Sequence, residues 1–72
     1  MPEPKLKDVA LGKRLRRLRR RAELTQEELA DKTGFSQTFI GLLEVGRSGA
    51  SMKSLQKIAR ALGVKVKDLI PY

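Results

Sequence analysis

The chain repeats one pattern three times: a polar residue able to cap a helix, a run with helical spacing, and a glycine. A serine or threonine oxygen accepts a hydrogen bond from a free N–H in the first turn of a helix. Glycine adopts the left-handed conformation that ends a helix without steric cost. The pairs that bound the runs are Thr25 with Gly34, Ser36 with Gly46, and Ser51 with Gly63. This punctuation leaves room for short helices joined by tight turns, and it predicts an all-α fold.

Two more helices are predicted, one on each side of these runs. Asp8 is a suitable cap for a first helix that extends to about Ala22, and the apolar residues of this segment follow helical spacing. They are Leu11, Leu15, Leu18 and Ala22. A last short helix is predicted over about Val66–Ile70, where Lys65 is a poor cap.

The length of 72 residues allows one small domain. Residues 1–7 carry two prolines and no periodicity, so we expect a flexible arm, followed by a compact bundle of four to five short helices over residues 8–72. The chain has no cysteine and no histidine, which removes disulfides, thiolate metal sites and the most common general base. It also lacks a glycine-rich phosphate loop and clustered carboxylates. We therefore predict a protein that is not an enzyme and needs no cofactor.

Positive charge is in large excess and is concentrated in the first predicted helix. Sixteen Lys and Arg stand against eight Asp and Glu, which gives a net charge of +8 and an isoelectric point near 10.5. Seven cations and no acid fall within residues 13–21: Lys13, Arg14, Arg16, Arg17, Arg19, Arg20 and Arg21. A solvated helix face or an anionic membrane surface are alternatives, but arginine suits phosphate contacts and we predict nucleic acid as the partner. No signal peptide or membrane-spanning run is visible, and we expect a cytoplasmic location.

A pair of helices with a short turn is the segment that most directly indicates function. The second helix is predicted over about 26–33 and the third over about 37–45, with Gly34 and Phe35 in the turn between them. Two helices joined in this way can present the second one to the major groove of a duplex, which admits one helix. An ordinary helical hairpin has the same pattern, so this segment alone leaves both interpretations open.

Five segments in a characteristic order carry a resemblance to a known family. They are 11–19 (LGKRLRRLR), 24–30 (LTQEELA), 34–36 (GFS), 39–46 (FIGLLEVG) and 51–64 (SMKSLQKIARALGV). Each is weak alone, whereas together they are specific. The chain resembles the lambda-repressor-like family of Cro/C1-type (XRE) helix-turn-helix proteins over about residues 11–70. The resemblance implies a lambda-repressor-like DNA-binding domain.

The resemblance also implies roles for individual residues. Gln26 would bind a phosphate and brace the recognition helix, and Arg47 would bind a phosphate. Gln37 and Thr38 match base-reading positions, because an amide pairs with adenine and a threonine contacts thymine. The whole predicted DNA-binding set is Gln26, Ser36, Gln37, Thr38, Phe39, Gly41, Leu42 and Arg47.

Two further positions concern the ends of helices. Arg19 and Glu44 match a pair of opposite charges that ties the first helix to the recognition helix in the family. Glu23 stands where the family usually has glycine, and a residue with a side chain is strained in a left-handed helix end. We therefore expect the first helix to end differently in this chain.

The outward face of the recognition helix departs from the family, because it is nearly uncharged and apolar. A helical wheel turns Ile40 and Leu43 inward. It turns Thr38, Gly41, Leu42 and Val45 outward. Exposed apolar residues typically mark an interaction surface. One interpretation is contact with thymine methyl groups, with Gly41 allowing close approach to DNA, and the other is a protein partner.

The most direct functional interpretation is a prokaryotic, nucleoid-associated regulator that binds double-stranded DNA in a sequence-specific way. We predict a repressor that binds an inverted-repeat operator through the major groove as a homodimer. The predicted dimer patch is Val66, Leu69, Ile70 and Tyr72. Alternatives with the same fold are an antitoxin, which would also bind a toxin protein, and a restriction–modification controller. A protein-interaction module without DNA binding is a third.

Overall fold

The three central helices lie between the capping residues and the glycines that punctuate the sequence. The computed structural model describes residues 8–71, so the predicted arm over residues 1–7 and the dimer-patch residue Tyr72 lie outside the described part. Five α-helices follow one another along the chain: α1 (Val9–Arg21), α2 (Gln26–Thr33), α3 (Gln37–Glu44), α4 (Met52–Leu62) and α5 (Val66–Leu69). The predicted all-α bundle is confirmed, and it has the lambda-repressor-like fold.

One continuous apolar core holds the five helices together. Helix α1 packs against α3 and α5, α2 packs against α3 and α4, and α4 packs against α5. The largest of the almost completely buried side chains are Leu15, Leu29, Ile40, Leu55, Ile58 and Leu69. Burying a leucine or isoleucine side chain contributes about 1.5–3 kcal/mol relative to exposure. Every helix contributes at least one of these side chains.

The end of α1 contradicts the expectation for Glu23. Its φ is +59°, in the left-handed region, as glycine would adopt. The Glu23 N–H donates to the Arg20 carbonyl at 2.9 Å, and the Leu24 N–H donates to the Arg19 carbonyl at 3.1 Å. This pair of bonds is the Schellman arrangement. The prediction of a different helix end was wrong, because these bonds hold the turn against a conformational cost of about 1–2 kcal/mol.

The last helix corrects one predicted site residue. Leu69 is 0% exposed and lies in the core of the single chain, so it cannot form part of a surface patch. Val66 and Ile70 are half-buried. The helix begins without a side-chain cap from Lys65; instead, the Asp68 carboxylate accepts the Lys65 N–H at 3.0 Å. None of the helices within residues 8–71 is long and apolar enough to cross a membrane.

Candidate nucleic-acid interface

The turn between α2 and α3 is built from local hydrogen bonds. The Thr25 Oγ1 accepts the Glu28 N–H at 3.0 Å, and the Glu28 carboxylate accepts the Thr25 N–H at 2.9 Å, which closes a capping box at the start of α2. Gly34 ends α2 with φ +77°, and Ser36 caps α3 by accepting the Phe39 N–H at 3.0 Å. Only three residues separate α2 from α3, so the two helices are joined by a tight turn.

The Glu28 carboxylate has a pKa below its ordinary value. The main cause is the hydrogen bond that it accepts from the Thr25 backbone, and the Thr25 hydroxyl adds to it. An ionised carboxylate at this position also favours the positive end of the α2 dipole. The start of α2, where Gln26 lies, is therefore held in place by a charged cap.

A buried polar network fixes α3 against its two neighbours. The Arg19 Nε donates to Glu44 Oε2 at 2.6 Å and the Arg19 Nη2 donates to Glu44 Oε1 at 3.1 Å. The same Oε1 accepts the Gln26 Nε2 at 3.1 Å, and the Leu24 carbonyl accepts the Arg19 Nη1 at 2.7 Å. The hydrogen bond to Glu44 is the main cause that raises the pKa of Arg19 above its ordinary value. One carboxylate thus joins α1, the start of α2 and the end of α3.

Sequence reasoning missed the part that Gly12 has in this arrangement. A Cβ atom on Gly12 would come within 2.5 Å of the Glu44 carbonyl oxygen and closer still to that of Leu43. The backbone of α3 therefore lies directly on α1 at this point. The sequence offered one signal: Gly12 lies inside the predicted helix beside the inward-facing leucines. Glycine is unfavourable at such a position unless close packing requires it.

The predicted base-reading residues lie on an exposed face of α3. Gln37 and Thr38 are exposed, Leu42 is 39% exposed and Val45 is 58% exposed. Ser36 and Arg47 are also exposed, at the two ends of the helix. We call the exposed side chains Gln37, Thr38, Leu42 and Val45 the reading face. It bears no formal charge, because the one acidic residue of α3 is turned inward in the Arg19 network.

Three members of the predicted DNA-binding set make contacts within the domain: Gln26, Phe39 and Gly41. The Phe39 ring is half-buried and packs edge-on against Phe35, with ring centroids 5.1 Å apart. The Lys57 Nζ lies 5.3 Å from the centre of the Phe35 ring. Gly41 lies against Gln26, since a Cβ on Gly41 would be 3.5 Å from the Gln26 Oε1. The Gln26 side chain therefore reaches across to both Gly41 and Glu44, at the edge of the reading face.

Comparisons with known proteins agree with this geometry. A family model for helix-turn-helix domains, HTH_3, matches residues 15–69. An uncharacterized HTH-type transcriptional regulator, y4dJ of Sinorhizobium fredii (strain NBRC 101917 / NGR234), is 42% identical over 60 residues, which cover 83% of this chain and 78% of the relative.

Two solved structures share the fold along most of their lengths. The restriction-modification controller protein C.AhdI from Aeromonas hydrophila superposes with a TM-score of 0.84 at 35% identity and covers 86% of this chain and 94% of its own. The biofilm regulator SinR, solved in complex with DNA, superposes with a TM-score of 0.78 at 27% identity and covers 82% of this chain and 95% of its own. The chain therefore belongs to the HTH_3 (XRE/Cro/C1-type) family of helix-turn-helix, DNA-binding transcriptional regulators, which are not enzymes.

Proposed function

We propose that this protein is a sequence-specific repressor that inserts α3 into the major groove of an operator. The observation that carries the proposal is the exposed reading face, on a helix held by the Arg19–Glu44–Gln26 network beside the tight turn from α2. A preorganised helix loses little conformational entropy on binding. A regulator bound in this way at a promoter prevents RNA polymerase from using the same DNA.

Each exposed residue has a chemistry that suits a duplex. The amide of Gln37 can pair with the N6 and N7 atoms of adenine, and the Thr38 methyl and Leu42 side chain can pack on thymine methyl groups. The backbone N–H groups at the start of α2, beside Gln26, and the Arg47 guanidinium can bind phosphates. An uncharged reading face with these groups favours operators rich in A·T pairs at the contacted positions.

The decisive experiment is a charge reversal at Leu42. Leu42→Glu would place a carboxylate against bases and phosphates, so affinity for the DNA upstream of the protein's own gene should fall by more than the ~1–3 kcal/mol of one base contact. The melting temperature should stay nearly constant, because Leu42 is exposed. Leu42→Arg should retain non-specific affinity and lose discrimination between sequences.

Met52 provides a matched control for this substitution. It is 42% exposed, close to the 39% of Leu42, and it starts α4 outside the helix-turn-helix unit. Met52→Glu changes the net charge by the same amount and should leave operator binding almost unaltered. Fluorescence anisotropy with operator and unrelated duplexes measures all three variants. If Leu42→Glu binds the operator as the parent does, α3 is not the reading element and its apolar face serves a protein partner.

A homodimer is part of the same proposal. One recognition helix reads few base pairs, and a two-fold dimer reads two inverted half-sites about 34 Å apart. The half-buried Val66 and Ile70 remain as candidates for the two-fold contact after the exclusion of Leu69. Val66→Glu should weaken self-association in sedimentation equilibrium. A footprint with a single unpaired half-site and a monomer at high concentration would contradict the dimer.

A role as a restriction–modification controller is the second candidate. It is supported by the similarity to C.AhdI, at 35% identity over most of both chains. The two functions differ in the genes beside the operator, because a controller regulates restriction and modification enzymes. Sequencing the genomic neighbourhood separates them.

A further inference from the structure

A strip of positive charge covers the outer side of α1, and the proposed function does not use it. We call these five side chains the α1 ridge. All five are exposed, and together they line one shallow, open depression. The ridge consists of Lys13, Arg16, Arg17, Arg20 and Arg21.

The charges of the α1 ridge are not compensated within the described chain. Helix α1 contains no acidic residue. Within residues 8–71 the structure has one ion pair, and its cation is Arg19, which is turned inward toward Glu44. Like charges three and four residues apart on a helix destabilise it, and Lys13 with Arg17 and Arg17 with Arg21 are such pairs. A polyanion laid along the ridge would relieve this repulsion.

Most of the α1 ridge lies to one side of the contact between α1 and α3, and only Arg16, which is about 40° around the helix from Gly12, lies near that contact. Gly12 and Arg19 face α3, as the Gly12 contact and the Glu44 hydrogen bonds show. Each residue advances about 100° around a helix. Lys13 and Arg20 therefore lie about 100° around α1 from that side, away from the buried Leu15. The ridge is thus a separate surface from the reading face, although both belong to one rigid unit.

The chemistry of the α1 ridge favours phosphates over other anionic partners. The centre of an interface with a protein is depleted of charged residues, whereas all five ridge residues are charged. A membrane surface would need the apolar side of α1, but Leu11 and Leu15 are 3% and 1% exposed within the core. Four of the five residues are arginine, whose fork matches phosphate oxygens.

The dimensions of the ridge also fit a nucleic-acid backbone. Seven residues of helix separate Lys13 from Arg20, which corresponds to about 10 Å. Phosphates of one DNA strand advance about 3.4 Å each along the duplex axis. The strand also winds around that axis, so neighbouring phosphates lie farther apart than this advance, and the row formed by Lys13, Arg17 and Arg20 can face about two to three phosphates.

We propose that the α1 ridge is a second phosphate-binding surface, which holds the backbone of DNA outside the segment read by α3. The inference rests on the proposed function, because it requires a duplex on α3. The backbone belongs to the flanks of the same duplex, because the ridge and α3 are parts of one small domain. The ridge contributes affinity without sequence preference, since phosphates carry no sequence information.

The test is a triple variant in which Lys13, Arg17 and Arg20 are replaced by Gln, which keeps good helix propensity. Affinity for an operator duplex is measured as a function of salt. Each lost phosphate contact makes the slope of log affinity against log salt shallower by about 0.9, so the slope should change by about 2 to 3. Affinity at low salt should fall at least about tenfold, with unchanged discrimination between operator and unrelated sequences.

A second triple variant controls for net charge. Lys53, Arg60 and Lys67 are exposed on α4 and α5, and their replacement by Gln removes the same three charges. We expect this control to change the salt slope by less than the contribution of one contact. If both variants change the slope equally, or if neither does, the α1 ridge makes no local phosphate contact and the proposal is overturned. Circular dichroism melts establish that both variants are folded.

Two arms of the experiment identify the source of the phosphates. In the first arm, the duplex is extended beyond the footprint on both sides, and a ridge-dependent gain in affinity assigns the contact to the flanks. In the second arm, a labelled duplex is captured on an immobilised operator through the protein, and ridge-dependent capture without any gain from the flanks would overturn the assignment to the flanks. If neither arm depends on the ridge, the proposal fails.

Failure of this inference is distinguishable from failure of the proposed function. If the parent protein binds its operator and Leu42→Glu abolishes that binding while the ridge variant binds normally, only the ridge inference fails. If the parent protein shows no sequence discrimination on any duplex, the proposed function itself fails.

Discussion

The guanidinium of Arg19 and the carboxylate of Glu44 form a two-point contact between α1 and the last residue of α3, at 2.6 and 3.1 Å. The side chains are 10% and 2% exposed, so water screens the pair poorly. The two residues are 25 positions apart in the sequence, and their contact determines how α3 is held against the rest of the domain.

Glu44→Ala should destabilise the fold by about 3 kcal/mol, because it leaves a buried guanidinium and the Gln26 amide without their acceptor. Urea unfolding of Glu44→Ala, Arg19→Ala and the double mutant measures the coupling, which we expect to lie within ~0.5–3 kcal/mol. Glu27→Ala, at an exposed acid of α2, is the control and should change stability by less than about 0.5 kcal/mol. Additive effects of the two single substitutions would show that the pair is not formed in solution.

Two glycines inside helices should respond in opposite ways to alanine. Gly12→Ala should destabilise the protein by at least about 1–3 kcal/mol, because its Cβ would collide with backbone oxygens that cannot rotate away. At Gly41 the new Cβ would make an ordinary contact, 3.5 Å from Gln26, so Gly41→Ala should gain up to about 1 kcal/mol in helix propensity. Chemical denaturation of both variants measures the difference. Equal effects would contradict the close crossing of α1 and α3.

Glu23→Gly should stabilise the protein by about 0.5–1 kcal/mol, because glycine adopts the left-handed conformation without the cost that a Cβ imposes. The matched opposite change is Gly34→Ala at φ +77°, where a Cβ would meet no atom within 4 Å, so any loss of stability reports backbone strain alone. Thermal melts compare the two variants. A loss of stability in Glu23→Gly would mean that the Glu23 side chain makes a contribution larger than the strain.

The capping box should make the stability of the fold depend on pH below the ordinary pKa of Glu28. The pKa of Glu28 is lowered in the folded state from its ordinary 4.5, so the ionised form stabilises the fold above that value. This contribution should decline as the pH falls below 4.5 and disappear once the pH has passed below the folded-state value. Glu28→Gln should remove this part of the pH profile in unfolding experiments. Parallel profiles for the parent and the variant would refute the capping role of the carboxylate.

The sequence by itself determined the helices and most of their boundaries, with the left-handed end of α1 as the exception. Ser, Thr and Asp caps and terminal glycines act through hydrogen bonds to residues two to four positions away, so local reasoning located α2 and the start of α3 to the residue. The order of the motifs also indicated the family, and with it the Arg19–Glu44 pair that the structure contains. The reading face followed from helical periodicity, since Leu42 and Val45 are exposed and Ile40 is buried.

Only the tertiary structure decided what depends on contacts between distant segments. It showed that the backbone of α3 lies too close to Gly12 for a side chain there. It also showed that the Gln26 side-chain amide donates one hydrogen bond to Glu44. It also showed that Leu69 is buried, because α5 packs against α1 and α4. A helix of four residues is too short for the spacing of its apolar residues to show which side faces inward. The left-handed Glu23 is a local exception, since its turn is held by backbone hydrogen bonds to Arg19 and Arg20 that residue propensity did not reveal. Propensity differences are about 1 kcal/mol or less per residue, and tertiary contacts of several residues together exceed them.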